Sequence, residues 1–172
     1  MAPYTDKQEL AWYAARTRHG QEVGLRDSLT GLGVESFVPV GRSRSARTGR
    51  MVEKPLIPGL VFLRSTKDGA CALANERGLP LRYIIDCTTR TLLVVPDKQM
   101  QDFRTVLDLS TEEGGLLDEP LALGEKVRVT KGPLRGVEGF VLELQGRTYV
   151  VVGLLDAIYA KARVPRAWLE RI

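Results

Sequence analysis

The chain has 172 residues, of which 44% are hydrophobic and 27% charged. That is globular composition; it excludes a disordered tail protein and fits one domain or two small ones at about 100–200 residues each. Lys plus Arg total 25 and Asp plus Glu 21, a net charge of +4. The stretch from Arg42 to Lys54 accounts for all of it, with five bases (Arg42, Arg44, Arg47, Arg50, Lys54) against one acid (Glu53), and the remainder holds 20 of each sign. A charge held in one segment points to a local anionic contact. Two cysteines, Cys71 and Cys87, and one histidine, His19, cannot supply the four ligands of a structural zinc site. The cysteines form no disulfide framework, which fits a reducing cytoplasm, and read as small buried hydrophobes. No apolar run of about 18 residues exists to span a membrane, and residues 1–9 read as a short polar tail without a signal peptide. Phosphate-loop and nucleophile-elbow motifs are absent, so neither an enzyme nor a cofactor is expected.

In chain order, Leu10–Arg16 reads as a strand. From Gly20 to Leu32 the period changes, and Leu25, Leu29 and Leu32 share one helical face. Glu35–Val40 is a strand, followed by the basic segment Gly41–Arg50. That segment has no large apolar residue and reads as a long hairpin loop between strands. Pro58-Gly59 marks a bend, and Leu60-Val61-Phe62-Leu63 a strand covered on both faces. Asp68–Arg77 is a short helix, Leu81–Ile85 and Thr91–Val95 are strands, and Pro96-Asp97 opens a third helix carrying Met100, Phe103 and Leu107. These elements predict a two-layer α/β sandwich with helices on an antiparallel sheet. The polar, glycine-paired stretch from Ser110 predicts a flexible linker. Beyond it, strands are expected at Lys126–Thr130, Val137–Leu144, Thr148–Val152 and Ile158–Val164, with one helical turn at Ala167–Glu170, as in a small β-barrel.

Two motifs stand in order along this framework. Gly124-Glu125-Lys126-Val127-Arg128-Val129 continues through Gly132-Pro133, Gly136 and Gly139-Phe140-Val141. It resembles a KOW motif, in which Val127 and Val129 alternate inward and Phe140 and Leu142 face the same core from the next strand. Trp12-Tyr13, followed by Lys54-Pro55-Leu56-Ile57-Pro58-Gly59-Leu60-Val61-Phe62-Leu63, resembles the signature of the NusG N-terminal (NGN) domain. Together they make the chain resemble the NusG family of transcription elongation factors. The Pro55–Phe62 stretch and the ending Gly153–Ile172 resemble most the UpxY-type antiterminators of capsular polysaccharide operons.

The resemblance implies an α+β protein. It has a tail (residues 1–9), an NGN α/β sandwich (10–109), a flexible linker (110–119) and an SH3-like KOW β-barrel (120–172). It implies binding to the clamp helices of RNA polymerase through Ile57, Pro58, Leu60, Phe62 and Tyr83, an apolar sheet surface suited to an amphipathic helical partner. It implies upstream or non-template DNA contacts from Arg42, Arg44, Arg47 and Arg50, whose planar guanidinium forks suit phosphate. Arg18, His19 and Gln21 would add contacts at the first helix. The barrel would recruit a small-subunit ribosomal protein through Gly153, Leu154, Leu155 and Asp156. The usual Phe-Gly-Arg is absent from that loop, so Rho is not expected, and Gly69-Ala70-Cys71 replaces the His-Thr-Thr of RfaH-type paralogues. The many β-branched residues favour a permanent barrel. The expected function is a cytoplasmic, monomeric antitermination factor that suppresses pausing and termination. The competing expectation is a KOW-type RNA-binding or ribosome-associated protein.

Overall fold

The structure is a computed structural model that describes residues 9–109, 115–117, 124–155 and 158–172. The chain divides into two compact units, Met1–Val95 and Pro96–Ile172.

In the first unit, strand β1 (Ala11–Arg16) is followed by helix α1 (Glu22–Gly31), short β2 (Glu35–Phe37), the ribbon β3 (Val40–Arg44) and β4 (Met51–Pro55), and β5 (Leu60–Ser65). Helix α2 (Lys67–Asn75) then leads to two-residue strands β6 (Arg82–Tyr83) and β7 (Val94–Val95). The central sheet has the order β2-β5-β1-β6, with β7 also on β1, and every pairing is antiparallel. The strands expected at Leu81–Ile85 and Thr91–Val95 therefore shrink to two pieces on one edge of β1. Between them the chain leaves the sheet as an excursion closed by the Ile85–Leu92 bridge and by Asp86, which accepts the Thr88 N–H at 2.8 Å. Leu25 and Leu29, one turn apart, bury against Tyr13, Ala15, Val61 and Leu63, and Ala70 and Leu73 of α2 join the same core. Thr66 caps α2 by accepting the Gly69 N–H at 3.0 Å.

The second unit begins with helix α3 (Asp97–Leu109), which the sequence reading assigns to the NGN domain; its contacts group it with the strands that follow. Those strands are β8 (Gly115–Leu117), β9 (Lys126–Val129), β10 (Glu138–Leu144), β11 (Arg147–Leu154), β12 (Ile158–Arg163) and β13 (Leu169–Arg171). They form one antiparallel sheet of order β13-β9-β10-β11-β12-β8. Residues 115–117, expected in the linker, instead pair with β12; the rest of the proposed linker and the tail at residues 1–8 lie outside the described residues. The expected terminal turn is a 3-10 turn over Arg166–Trp168, with Leu169 already in β13.

The register corrects one core assignment. Val127 stands opposite Gly139, so Gly139 and Val141, not Phe140 and Leu142, share its face. Leu142 is buried on the opposite face with Tyr149 and Val151, while Phe140 remains 39% exposed. Gly139 explains the offset: a Cβ there would collide with the Val151 carbonyl, so the inward position must be glycine. The cysteines also differ from expectation, Cys71 being half-buried and Cys87 exposed. Among the described residues no helix is long and apolar enough to cross a membrane.

Candidate functional site

Pro58-Gly59 turns the chain into β5. Gly59 has φ 73°, and a Cβ there would press on the Thr17 carbonyl at 3.0 Å, so both conformation and space select glycine. The bend is fastened twice. Thr17 N–H donates to the Gly59 carbonyl at 2.9 Å, and Gly59 N–H donates to Glu22 Oε1 at 2.8 Å. The other Glu22 oxygen accepts the Gly20 N–H at 2.9 Å. Glu22 is fully buried at 0% exposure. Burial alone would push its carboxyl up, but the backbone N–H bonds and the His19 charge outweigh burial and hold it below the ordinary carboxylate value.

The register sorts the expected polymerase-binding residues. Ala14 pairs with Phe62 and Arg16 with Leu60, while Ala15 pairs with both Val61 and Tyr83. Leu60 and Phe62 therefore share one sheet face with Trp12, Ala14 and Phe37, and the Phe37 and Phe62 rings stack with centroids 6.1 Å apart. Tyr83 lies on the other face, beneath α2. Its hydroxyl donates to the Ala70 carbonyl at 2.6 Å, its ring meets Tyr13 edge-on at 6.4 Å, and burial pushes its phenol up. The structure thus does not bring Tyr83 together with Leu60 and Phe62. Leu60 and Phe62 are both 0% exposed, Ile57 is half-buried and Pro58 is exposed. The unbroken apolar run Trp12-Tyr13-Ala14-Ala15 is the sequence signal that both faces of β1 carry apolar side chains.

The basic segment is not a loop but a ribbon. β3 and β4 pair in register from Val40 opposite Pro55 to Arg44 opposite Met51. The turn at its tip is closed by Ser45 N–H to the Arg50 carbonyl at 2.8 Å and by Gly49 N–H to the Ser45 carbonyl at 2.8 Å. Arg42 and Arg44 share one face, and Arg47 and Arg50 lie in the turn; all four are exposed. Glu53 stands directly opposite Arg42, yet its carboxylate accepts from Arg26 of α1 at 2.7 Å. The bond to Glu53, with Asp27 beside it, raises the Arg26 guanidinium's affinity for its proton despite partial burial. The one acid of the segment is thereby committed, and among the described residues none of Arg42, Arg44, Arg47, Arg50 and Lys54 forms an ion pair. Arg18, His19 and Gln21 are exposed at the start of α1; the His19 ring is 82% exposed and its Nδ1 lies 3.7 Å from Glu22.

In the second unit, Gly153 is half-buried and its carbonyl accepts from Gln99 Nε2 of α3 at 2.5 Å. Leu154 is fully buried, Leu155 is half-buried with φ 57°, and Asp156 lies outside the described residues. The helix is latched at its other polar contacts as well. Asp102, buried, accepts the Glu138 N–H at 3.1 Å, and Lys98 Nζ donates to Asp102 and to the Gly136 carbonyl, each at 2.7 Å. A depression of about 570 Å³ remains here, lined among others by Gln99, Asp102, Phe140 and Tyr159.

Among the described residues, three α-helices, an antiparallel sheet, a separate basic ribbon and a second antiparallel unit make a mixed α/β protein of the NusG-like class. The family described as "Transcription termination factor nusG" matches residues 10–104, more than half of the chain. The protein belongs to the NusG family. A solved structure described as "Domain interaction in Thermotoga maritima NusG" is 16% identical over 97% of this chain and 99% of that one, with a TM-score of 0.53. An MjSpt4:Spt5 complex is 17% identical over 94% of this chain and 96% of that one, with a TM-score of 0.29. No curated protein matches.

Proposed function

We propose that this protein is a processive antitermination factor that rides on RNA polymerase. The first unit holds the clamp helices at the Pro58-Gly59 bend through Ile57 and Pro58, the accessible members of the expected set beside Leu60 and Phe62, which are core side chains. The ribbon contacts upstream or non-template DNA, with Arg18, His19 and Gln21 adding polar contacts. The second unit acts as a KOW domain offering Gly153–Asp156 to a small-subunit ribosomal protein. The protein makes and breaks no bond. It lowers pausing by binding the paused, open clamp less well than the elongating one. Its setting is the cytoplasm, its state monomeric, and its targets capsular polysaccharide operons, on the UpxY-like Pro55–Phe62 stretch.

The observation that carries this reading is the ribbon. Five cations project from an ordered element whose single acid is occupied by Arg26. Arginines spaced along a ribbon with no aromatic between them suit phosphate contact, which positions without reading sequence. The test is read-through at a terminator in reconstituted elongation with Arg42, Arg44, Arg47 and Arg50 changed to serine. The variant should lose most read-through while keeping polymerase binding; full read-through refutes the nucleic-acid role. Tight, salt-sensitive binding to free RNA without polymerase would instead favour the KOW-type RNA-binding reading.

A further inference from the structure

Glu22 is charged, fully buried and has both carboxylate oxygens engaged. A buried carboxylate is costly unless its lone pairs are filled, so its partners indicate what it is for. Beyond its own N–H and the neighbouring His19, those partners are two glycine amides. Gly20 stands between His19 and Gln21, in the segment expected to touch DNA. Gly59 stands between Pro58 and Leu60, in the segment expected to touch polymerase. Both have positive φ, 88° and 73°, conformations in which glycine is the residue free of a Cβ penalty. Beside the carboxylate, one backbone bond joins the two segments, Thr17 N–H to the Gly59 carbonyl. The Gly20 bond is a local one, two residues away, whereas the Gly59 bond reaches 37 residues along the chain.

We propose that Glu22 is a positioning residue that holds the α1-entry segment 17–21 and the bend 57–60 in one fixed relation, so that polymerase and DNA contacts are set by a single buried carboxylate. The proposal rests on the function proposed above for its two surfaces, while its first experimental arm does not. Glutamine at this position keeps the shape but turns an amide NH2 toward one of the two backbone N–H donors. Aspartate keeps the charge but lacks the reach to satisfy both.

The experiment uses the full chain as wild type, Glu22→Gln, Glu22→Asp, Ile57→Glu and the Glu22→Gln/Ile57→Glu double variant. Amide hydrogen exchange is followed at Gly20 and Gly59, with Ala14 and Val61 as controls, and affinity for core RNA polymerase is measured by competition. Exchange at the two glycines should rise about tenfold more than at the controls in both Glu22 variants, as expected for losing a buried charge-assisted bond. Polymerase affinity should fall about three- to tenfold in the Glu22 variants, and the double variant should be weaker than Ile57→Glu by less than that factor. Aspartate keeps the proposal testable should the glutamine variant fail to fold. Exchange that rises equally at the controls, or not at all, overturns the pin. Local exchange with unchanged polymerase affinity, while Ile57→Glu binds poorly, overturns the coupling. Normal binding by Ile57→Glu removes the interface itself and the coupling with it.

Discussion

The ribbon makes a quantitative claim about salt. Arg42, Arg44, Arg47 and Arg50 are exposed and form no ion pair among the described residues, because Glu53 is held by Arg26. If each meets one duplex phosphate, together they contribute a slope of about −3.6 to the plot of log affinity against log salt, at roughly −0.9 per phosphate. Between about 50 and 200 mM salt that share of affinity falls roughly 150-fold. The perturbation is the quadruple serine variant, which leaves Lys54 and the β3–β4 hydrogen bonds in place. The assay is equilibrium binding to a reconstituted elongation complex across that salt range, with wild type and variant in parallel. Polymerase contacts contribute equally to both, so the difference in slope isolates the ribbon. The wild-type slope should be steeper by about 3 to 4. A difference below about 1 refutes phosphate contact, and lower affinity with an unchanged slope means that the arginines act through protein contacts or folding.

Three further outcomes follow from the same geometry. Glu53→Gln adds a net positive charge to the ribbon but frees it from Arg26, so affinity for free duplex should rise while affinity for the elongation complex falls up to about fivefold, within the roughly 1 kcal/mol typical of such pairs; both rising together would show that the tether does not matter. Gly139→Ala, whose new methyl meets the Val151 carbonyl, should destabilise the second unit by about 1–3 kcal/mol in thermal unfolding, and an unchanged transition would show the strands can part there. Glu22 has a folded-state carboxyl value depressed from 4.5, so its contribution is present above that value and is lost as pH falls through the folded one. Wild type should lose stability on acidification below about pH 4.5 more steeply than Glu22→Gln in urea titrations, and parallel curves would remove Glu22 as a source of acid sensitivity.

What the sequence disclosed depended on periodicity. The runs Trp12-Tyr13-Ala14-Ala15 and Leu60-Val61-Phe62-Leu63 announce buried strands because apolar side chains fill both faces. Leu25 and Leu29 announce a helix by their spacing. The ribbon escaped because strand patterns are sought in apolar residues. Arg42 and Arg44 do alternate with Gly41 and Ser43, but all four are residues that loops also use. The face of Tyr83, on the strand beside β1, is not legible in the sequence because a two-residue strand sets no register of its own; pairing with Ala15 decides it. Phe140 reads as core in the sequence because nothing local marks Gly139 as the inward residue; the Val151 carbonyl packed against it does. Glu22 was missed for a different reason. An acid at a helix start is ordinary electrostatics, and nothing local in the sequence relates it to Gly59.

The two kinds of surface in the first unit differ in what they can do alone. Four or five exposed cations give an affinity for nucleic acid that physiological salt largely screens, so a free ribbon would find no particular place on DNA. On a unit held on polymerase as proposed, the same ribbon would meet nearby phosphates at an effective concentration of order millimolar, and a weak contact would become an occupied one. That gain exists only where the geometry lets both contacts form at once. Arg26–Glu53 fixes the ribbon to α1, and Glu22 fixes the entry to α1 to the Pro58-Gly59 bend. Helix α1 is therefore the common frame of the proposed function: Glu22 within it and Glu53 bound to it are the acids through which an apolar grip and an electrostatic one would become a single mode of attachment.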